Sequence, residues 1–78
     1  MSKIGEVGPG GSIHFDRIIA IGTWKSEPIR RAARKAKKDG LLIDLTYGYA
    51  CHWVFFMDSG HIVLGTQRHF KEETENDD

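Results

Sequence analysis

Residues 26–40 read SEPIRRAARKAKKDG, and every local signal in this stretch predicts one amphipathic helix. Ser26 is a favourable N-cap, Pro28 suits a first turn, and Gly40 can adopt the left-handed conformation that ends a helix. At about 100° per residue the apolar positions share one face, namely Ile29, Ala32, Ala33 and Ala36. The remaining circumference carries six cations: Arg30, Arg31, Arg34, Lys35, Lys37 and Lys38. One side of the helix is therefore built to pack against a core.

The charges of the 78-residue chain are unevenly distributed, although its formal net charge is zero. Residues 71–78 hold five acids and one lysine, whereas residues 1–70 hold ten of the eleven Lys and Arg residues. This length and pattern predict a single domain over residues 1–70 and an acidic, disordered tail over residues 71–78. The cations of the domain form either a solvated face or a patch that contacts phosphate.

The small size of the chain predicts a marginally stable monomer, because only about 60% of the unfolded surface is buried at this length. Cys51 is the single cysteine, which excludes an intramolecular disulfide, and no structural zinc spacing is present. Oligomerisation is then the expected source of further stability. No apolar run approaches the ~20 residues that span a bilayer, and residues 1–11 lack the apolar core of a signal peptide. We expect a cytoplasmic homo-oligomer without membrane association.

Strand patterns flank the helix on both sides. Before it, residues 1–7 suggest a short edge strand, residues 8–11 a turn, and residues 12–23 a strand with two apolar faces. Such a strand is expected inside a sheet. After the helix, strands are predicted at residues 41–46, 51–57 and 61–66, separated by turns at residues 47–50 and 58–60.

This order of elements predicts a small α+β domain, with a mostly antiparallel sheet and one main amphipathic helix. The strand at residues 51–57 is apolar on both faces, with Trp53, Phe55 and Met57 on one side and Val54 and Phe56 on the other. One short helix covers one face of a sheet, so the other face is expected to stay bare in a monomer. A subunit interface is the simplest cover for it.

The sequence contains no recognisable catalytic or metal-binding constellation. Asp44 lies in a predicted strand, where we expect it to cap a neighbouring loop or to pair with a basic residue such as Arg17. Cys51 and His52 point to opposite faces of a strand, and Cys51 lies about 20 Å from His61 along the predicted hairpin. A phosphate loop, nucleophile elbow, carboxylate pair and dinucleotide fingerprint are also absent. We expect a non-enzymatic protein that needs no metal, cofactor or small-molecule substrate.

Several segments of the chain match the pattern of one protein family. They are residues 17–21, 26–31, 39–44 and 46–48, together with Met57, Asp58, Ser59, His61, Ile62 and Leu64. With these residues the chain resembles the RemA family of bacterial extracellular matrix regulators across residues 13–66, and the run 42–48 is specific. The resemblance implies an α+β protein that assembles into a closed homo-oligomeric ring, binds promoter DNA without catalysis and activates biofilm matrix genes.

The resemblance also implies DNA contacts at Arg17 and at the positions just after Gly48. Family members carry consecutive arginines there, whereas this chain has Tyr49 and Ala50. Fewer phosphate-neutralising cations weaken DNA binding, and a ring multiplies the loss by its subunit count. The basic helix can compensate, as can aromatic residues that stack on single-stranded bases. Tyr49, His52 and Trp53 are of that type, although packing is the favoured role of Trp53.

The sequence leaves two functions open. In the first, the chain is a ring-forming DNA-binding regulator, with nucleic-acid contacts at Arg17, Arg30, Arg31, Arg34, Tyr49 and His52. In the second, it is a related ring that serves as a protein-interaction scaffold and has lost DNA contact or shifted it to single strands. Structural roles are assigned in both to Pro28, Gly40 and Gly48.

Overall fold

The computed structural model describes residues 4–67, so the predicted tail at residues 71–78 lies outside the described part of the chain. The elements are β1 (Ile4–Gly8), β2 (Gly11–His14), a 3₁₀ turn (Phe15–Arg17), β3 (Ile18–Thr23), α1 (Glu27–Lys38), β4 (Leu42–Asp44), β5 (Trp53–Met57) and β6 (Ile62–Gly65). Within residues 4–67 there is one α-helix and the strand pairing is mostly antiparallel, which confirms the α+β class.

The main sheet has four strands in the order β3-β5-β6-β4, and β1 pairs with β2 in a separate hairpin. The β3–β5 and β5–β6 pairs are antiparallel, whereas β4 runs parallel to β6. The prediction of one inner strand over residues 12–23 is wrong. The 3₁₀ turn divides that segment, so its first half pairs with β1, and its second half, β3, is an edge strand of the described sheet.

The predicted helix is confirmed as α1, and its ends lie where the capping residues place them. Ser26 has extended N-cap geometry, although it caps through its backbone carbonyl, which accepts a bond from the Arg30 amide (3.0 Å). Pro28 occupies the first turn. At the other end Gly40 has φ +76°, which lets the Leu41 amide bond the Ala36 carbonyl at 2.8 Å. This bond pattern is the glycine-dependent helix stop that the sequence predicts.

One face of the main sheet packs against α1. Ala33 and Ala36 are buried against the β5 and β6 side chains of Val54, Ile62 and Leu64. The approach is close enough that a Cβ on Gly22 of β3 would lie 2.8 Å from the Ile29 Cδ1 atom. Small residues on both elements therefore bring the helix close to the sheet and leave its charged side outward.

The opposite face of the sheet is covered by the β1–β2 hairpin, so the prediction of a bare face in the monomer is wrong. Val7 and Ile13 of the hairpin bury Phe55 and Val63 of the sheet. Backbone bonds anchor the hairpin, since the Thr66 amide donates to the Val7 carbonyl at 2.7 Å and the Gly10 amide to the Leu45 carbonyl at 2.9 Å. The hairpin takes the place that the sequence assigned to a second subunit.

The exposed apolar side chains that remain lie mainly at the two edges of the main sheet. Ile19 is 70% exposed on β3, where the β3–β5 register shifts, and Ile21 is exposed on the same strand. Ile43 is exposed on β4 at the other edge. Each edge also carries backbone groups that no described strand pairs. Both edges can therefore accept another strand.

Candidate nucleic-acid interface

The outer side of α1 carries four cations in one line, which we call the cationic stripe: Arg31, Arg34, Lys35 and Lys38. Their spacing of three, four and seven residues places them on one helical face, opposite buried Ala33 and Ala36. At 1.5 Å of rise per residue the stripe is about 10 Å long. With Asp39 the four side chains line an open depression of about 400 Å³. The stripe is the most concentrated cationic surface of residues 4–67.

Two carboxylates neutralise part of the helix. Glu27 accepts hydrogen bonds from Arg30 at 2.8 Å and from Arg34 at 2.9 Å, and these two bonds lower the pKa of Glu27. Lys35 pairs with Asp39 at 3.2 Å. Among the described residues no ion pair involves Arg31 or Lys38. The guanidinium of Arg31 and the ammonium of Lys38 are thus the stripe members that no described carboxylate neutralises.

Arg30 lies beside the stripe and is held by the protein itself. Its Nη1 atom donates to the Trp24 carbonyl at 2.8 Å and its Nη2 atom to Glu27, and the side chain is 33% exposed. These bonds tie the loop between β3 and α1 to the first helical turn. A contact of Arg30 with nucleic acid stays a prediction. Such a contact would use the N–H groups of the guanidinium that are not bonded to the Trp24 carbonyl or to Glu27.

Arg17 lies at the end of the main sheet where β3 begins and β5 ends. Its Nε atom donates to both carboxylate oxygens of Asp58, at 2.7 and 3.0 Å. This bond raises the pKa of Arg17 and lowers the pKa of Asp58. The alternative that Arg17 pairs with Asp44 is wrong, because Asp44 instead accepts bonds from the Thr46 amide (2.9 Å) and hydroxyl (2.6 Å). The loop-capping role expected for Asp44 is confirmed.

Tyr49 and His52 lie at the opposite end of β5 from Arg17. Tyr49 is 66% exposed and follows a tight turn in which Gly48 has φ +85°. Both side chains line an open depression of about 450 Å³, together with Glu6, Gly8, Pro9, Ala50, Thr66 and Gln67. The five residues of β5 span about 13 Å between the two ends. Within one subunit the structure therefore distributes the six predicted contacts over three places rather than one.

The structure describes no cluster that suggests catalysis or metal binding. Among residues 4–67, no group of three His, Cys, Asp or Glu side chains lies close enough to hold a metal ion. Cys51 is half-buried, and burial raises the pKa of its thiol, so it is poorly suited to act as a nucleophile. In the same part of the chain, no helix is long and apolar enough to cross a membrane.

Sequence reasoning missed two features of these surfaces. The first is Asp58, which controls the charge around Arg17 from a turn 41 residues away. The second is Glu27, which binds two arginines of the helix. A signal for the second was present, because Glu27 and Arg30 are three residues apart and such pairs meet on a helix. No local pattern connects Arg17 with Asp58.

Comparisons with known proteins identify relatives of this chain. The family model described as "RemA-like: Extracellular matrix regulatory protein A-like" matches residues 6–69. A protein from Finegoldia magna is 42% identical over 64 residues, covering 82% of this chain and 76% of its own length. A Thermoanaerobacter protein is 42% identical over 62 residues, covering 80% of this chain and 65% of its own length. A Cyanothece protein is 40% identical over 62 residues, with 80% and 68% covered. Each carries the name "Putative regulatory protein".

Proposed function

This chain belongs to the RemA-like family of extracellular matrix regulatory proteins, and on that basis we propose that it is a DNA-binding regulator. It acts without catalysis, in the cytoplasm, as a homo-oligomeric ring that contacts DNA phosphates through cations repeated in every subunit. Its regulated genes are those of the bacterial biofilm matrix. The cationic stripe is the single observation that carries this proposal, because it gives the outer helix face a surface suited to a polyanion.

The stripe suits the phosphate backbone rather than base edges. Its side chains are long, its members follow a straight line, and two of them are free of described carboxylates. Contacts of this kind hold DNA without reading sequence, and each neutralised phosphate contributes about 0.9 to the salt dependence of binding. A ring repeats the stripe once per subunit, so a weak contact in one subunit becomes a strong one in the assembly.

The edges of the main sheet support assembly of the ring. Edge strand β3 presents Ile19 and Ile21, and edge strand β4 presents Ile43 on the far side. Pairing the β3 edge of one copy with the β4 edge of the next would be a head-to-tail contact, and such contacts generate rings when the rotation closes.

Salt-dependent DNA binding tests the proposal. Binding of a duplex is measured by mobility shift between about 50 and 200 mM salt, where each lost phosphate contact lowers the slope of log affinity against log salt by about 0.9. For each subunit that contacts the DNA, Arg31→Ala is expected to lower the magnitude of that slope by about 0.9. Lys25→Ala is the matched control, since exposed Lys25 precedes α1 and lies outside the stripe. Binding that ignores salt, or equal losses in both variants, would contradict the proposal.

Arg17 is tested separately because its partner is also charged. Arg17→Ala alone leaves the Asp58 carboxylate unpaired, so any loss of DNA affinity contains repulsion from that acid. The double substitution Arg17→Ala with Asp58→Ala keeps the net charge of the wild type. If Arg17 contacts phosphate, DNA affinity stays low in the double variant. If affinity returns to the wild-type value, Arg17 acts only through local charge.

The scaffold function is the second candidate, and the exposed tyrosines favour it. Tyr47 and Tyr49 are 76% and 66% exposed, and Tyr49 occupies one of the two positions where the family pattern has arginine. Exposed aromatic side chains are typical of protein contacts. The variant Tyr49→Arg with Ala50→Arg separates the two functions. If the wild type binds neither duplex nor single-stranded DNA and the variant binds duplex, the chain is a scaffold.

A further inference from the structure

The last described residue, Gln67, is held at the end of the main sheet where α1 begins. Its amide donates to the Val7 carbonyl at 3.1 Å, and its Nε2 atom donates to the Glu6 carbonyl at 3.3 Å. The strand register shows that the end of β3 and the end of β6 lie at the same end of the sheet, because Trp53 of β5 pairs with Thr23 on one side and with Gly65 on the other. Since α1 starts four residues after Thr23, the chain leaves the described fold near the first turn of the helix.

The remaining eleven residues are long enough to reach the cationic stripe. Residues 68–78 span up to about 36–40 Å when extended, whereas the whole of α1 is about 18 Å long. The acids begin at Glu72, about 17 Å of extended chain beyond Gln67. That length is enough to pass around the end of the sheet to the helix side before the acidic part begins.

Charge complementarity singles out the stripe as the surface for this segment. The segment 72–78 holds five acids and no cation, while the stripe holds four cations. Outside the stripe, Arg17 is bound by Asp58 and Arg30 by Glu27 and the Trp24 carbonyl, and Lys25 and Lys37 are single cations rather than members of a line. Arg31 and Lys38 lie seven residues apart on α1, so the two stripe members without a described ion pair lie at opposite ends of the stripe.

We propose that the acidic segment, residues 72–78, binds the cationic stripe of its own chain and competes there with nucleic-acid phosphate. The contact itself follows from charge and reach, whereas its effect on DNA rests on the proposed function. Exposed ion pairs are individually weak and are screened by salt, so a polyanion can displace the segment. The segment therefore lowers DNA affinity without abolishing DNA binding. Only DNA that offers several phosphates at once then replaces it.

Zero-length cross-linking tests the contact without DNA. A carbodiimide joins carboxylates to lysine amines that touch, and mass spectrometry of the full chain identifies the pairs. We expect links from residues 72–78 to Lys35 and Lys38 at about 20 mM salt, and their loss at about 500 mM. The Lys35–Asp39 pair, 3.2 Å apart, is the internal positive control, and Lys25 serves as a control lysine outside the stripe. Mixing isotope-labelled and unlabelled protein distinguishes links within a chain from links between chains.

Fluorescence anisotropy with a labelled duplex tests the competition. Deleting residues 72–78 removes no residue of the described fold and is expected to raise DNA affinity about 3- to 10-fold at low salt, from two or three weak ion pairs lost. The gain should vanish at high salt. A chain in which the five acids are replaced by Gln and Asn keeps the length and should behave like the deletion. In the variant Lys35→Gln with Lys38→Gln, the effect of the deletion should shrink.

The outcomes separate this proposal from the proposed function. Tail cross-links that are absent, that do not respond to salt, or that form equally with Lys25 overturn the contact, and so do links found only between chains. Cross-links to the stripe with no DNA binding by either chain length support the contact and overturn the DNA-binding function. DNA binding that the deletion leaves unchanged at every salt concentration overturns the competition.

Discussion

Replacing Phe55 by Ala, alone and together with Val7→Ala, tests whether the β1–β2 hairpin holds the second face of the sheet. Both side chains are fully buried, and they belong to the same cluster with Ile13 and Val63. Loss of a buried Phe side chain costs about 3–5 kcal/mol of unfolding free energy, and loss of a buried Val side chain costs about 1.5–3 kcal/mol. A chain of this length has about 4–12 kcal/mol in total, so Phe55→Ala alone removes a large part of it.

The decisive quantity is the coupling energy of the double variant. Because Val7 and Phe55 share one cluster, the two losses should overlap by about 0.5–2 kcal/mol. Val54 provides the matched control, since it is equally buried but belongs to the cluster under α1 on the other face. The losses from Val7→Ala and Val54→Ala should add within about 0.5 kcal/mol.

Urea unfolding followed by circular dichroism measures all of these energies. Every variant is compared at one protomer concentration, because assembly raises apparent stability by mass action. A Val7–Phe55 coupling no larger than the Val7–Val54 coupling would refute the reasoning. The hairpin would then not cover the sheet, and the second face would again require a partner subunit.

Three further predictions concern charge, assembly and turns. Glu27→Gln removes the carboxylate that pairs with Arg30 and Arg34, so it should strengthen DNA binding at low salt in the mobility-shift assay. Folding lowers the pKa of Glu27, so its ion pairs stabilise the fold above the unfolded-state pKa, and this stabilisation is lost as pH falls through the folded-state pKa. Thermal melts of the variant should therefore lack this loss of stability at acid pH. Ile19→Asp should reduce the assembly mass in light scattering while the monomer stays folded, because Ile19 is 70% exposed on an edge strand; an unchanged mass would exclude the β3 edge as an interface. Gly48→Ala should lower the free energy of unfolding in urea by about 1–2 kcal/mol, because alanine is strained at the positive φ of this position. A Cβ there meets no neighbouring atom, so a larger loss would contradict strain in the backbone as the only cause.

The candidate site could be predicted in part. The sequence located the cations of α1 and their common face, because helical periodicity and capping depend on residues three or four positions apart. It could not tell which of those cations are free. Glu27 binds Arg30 and Arg34 but leaves Arg31 unneutralised, and that choice depends on side-chain geometry in the folded helix.

By itself, the sequence determined the helix, its capped ends, the order of the later strands and turns, and the α+β class. These features arise from local interactions, which leave a periodic trace in the chain. Only the tertiary structure decided that the hairpin covers Phe55, that β3 lies at an edge and that Arg17 binds Asp58. Each of these depends on contacts between residues far apart in the sequence, and such contacts follow from how whole elements pack together rather than from any local pattern.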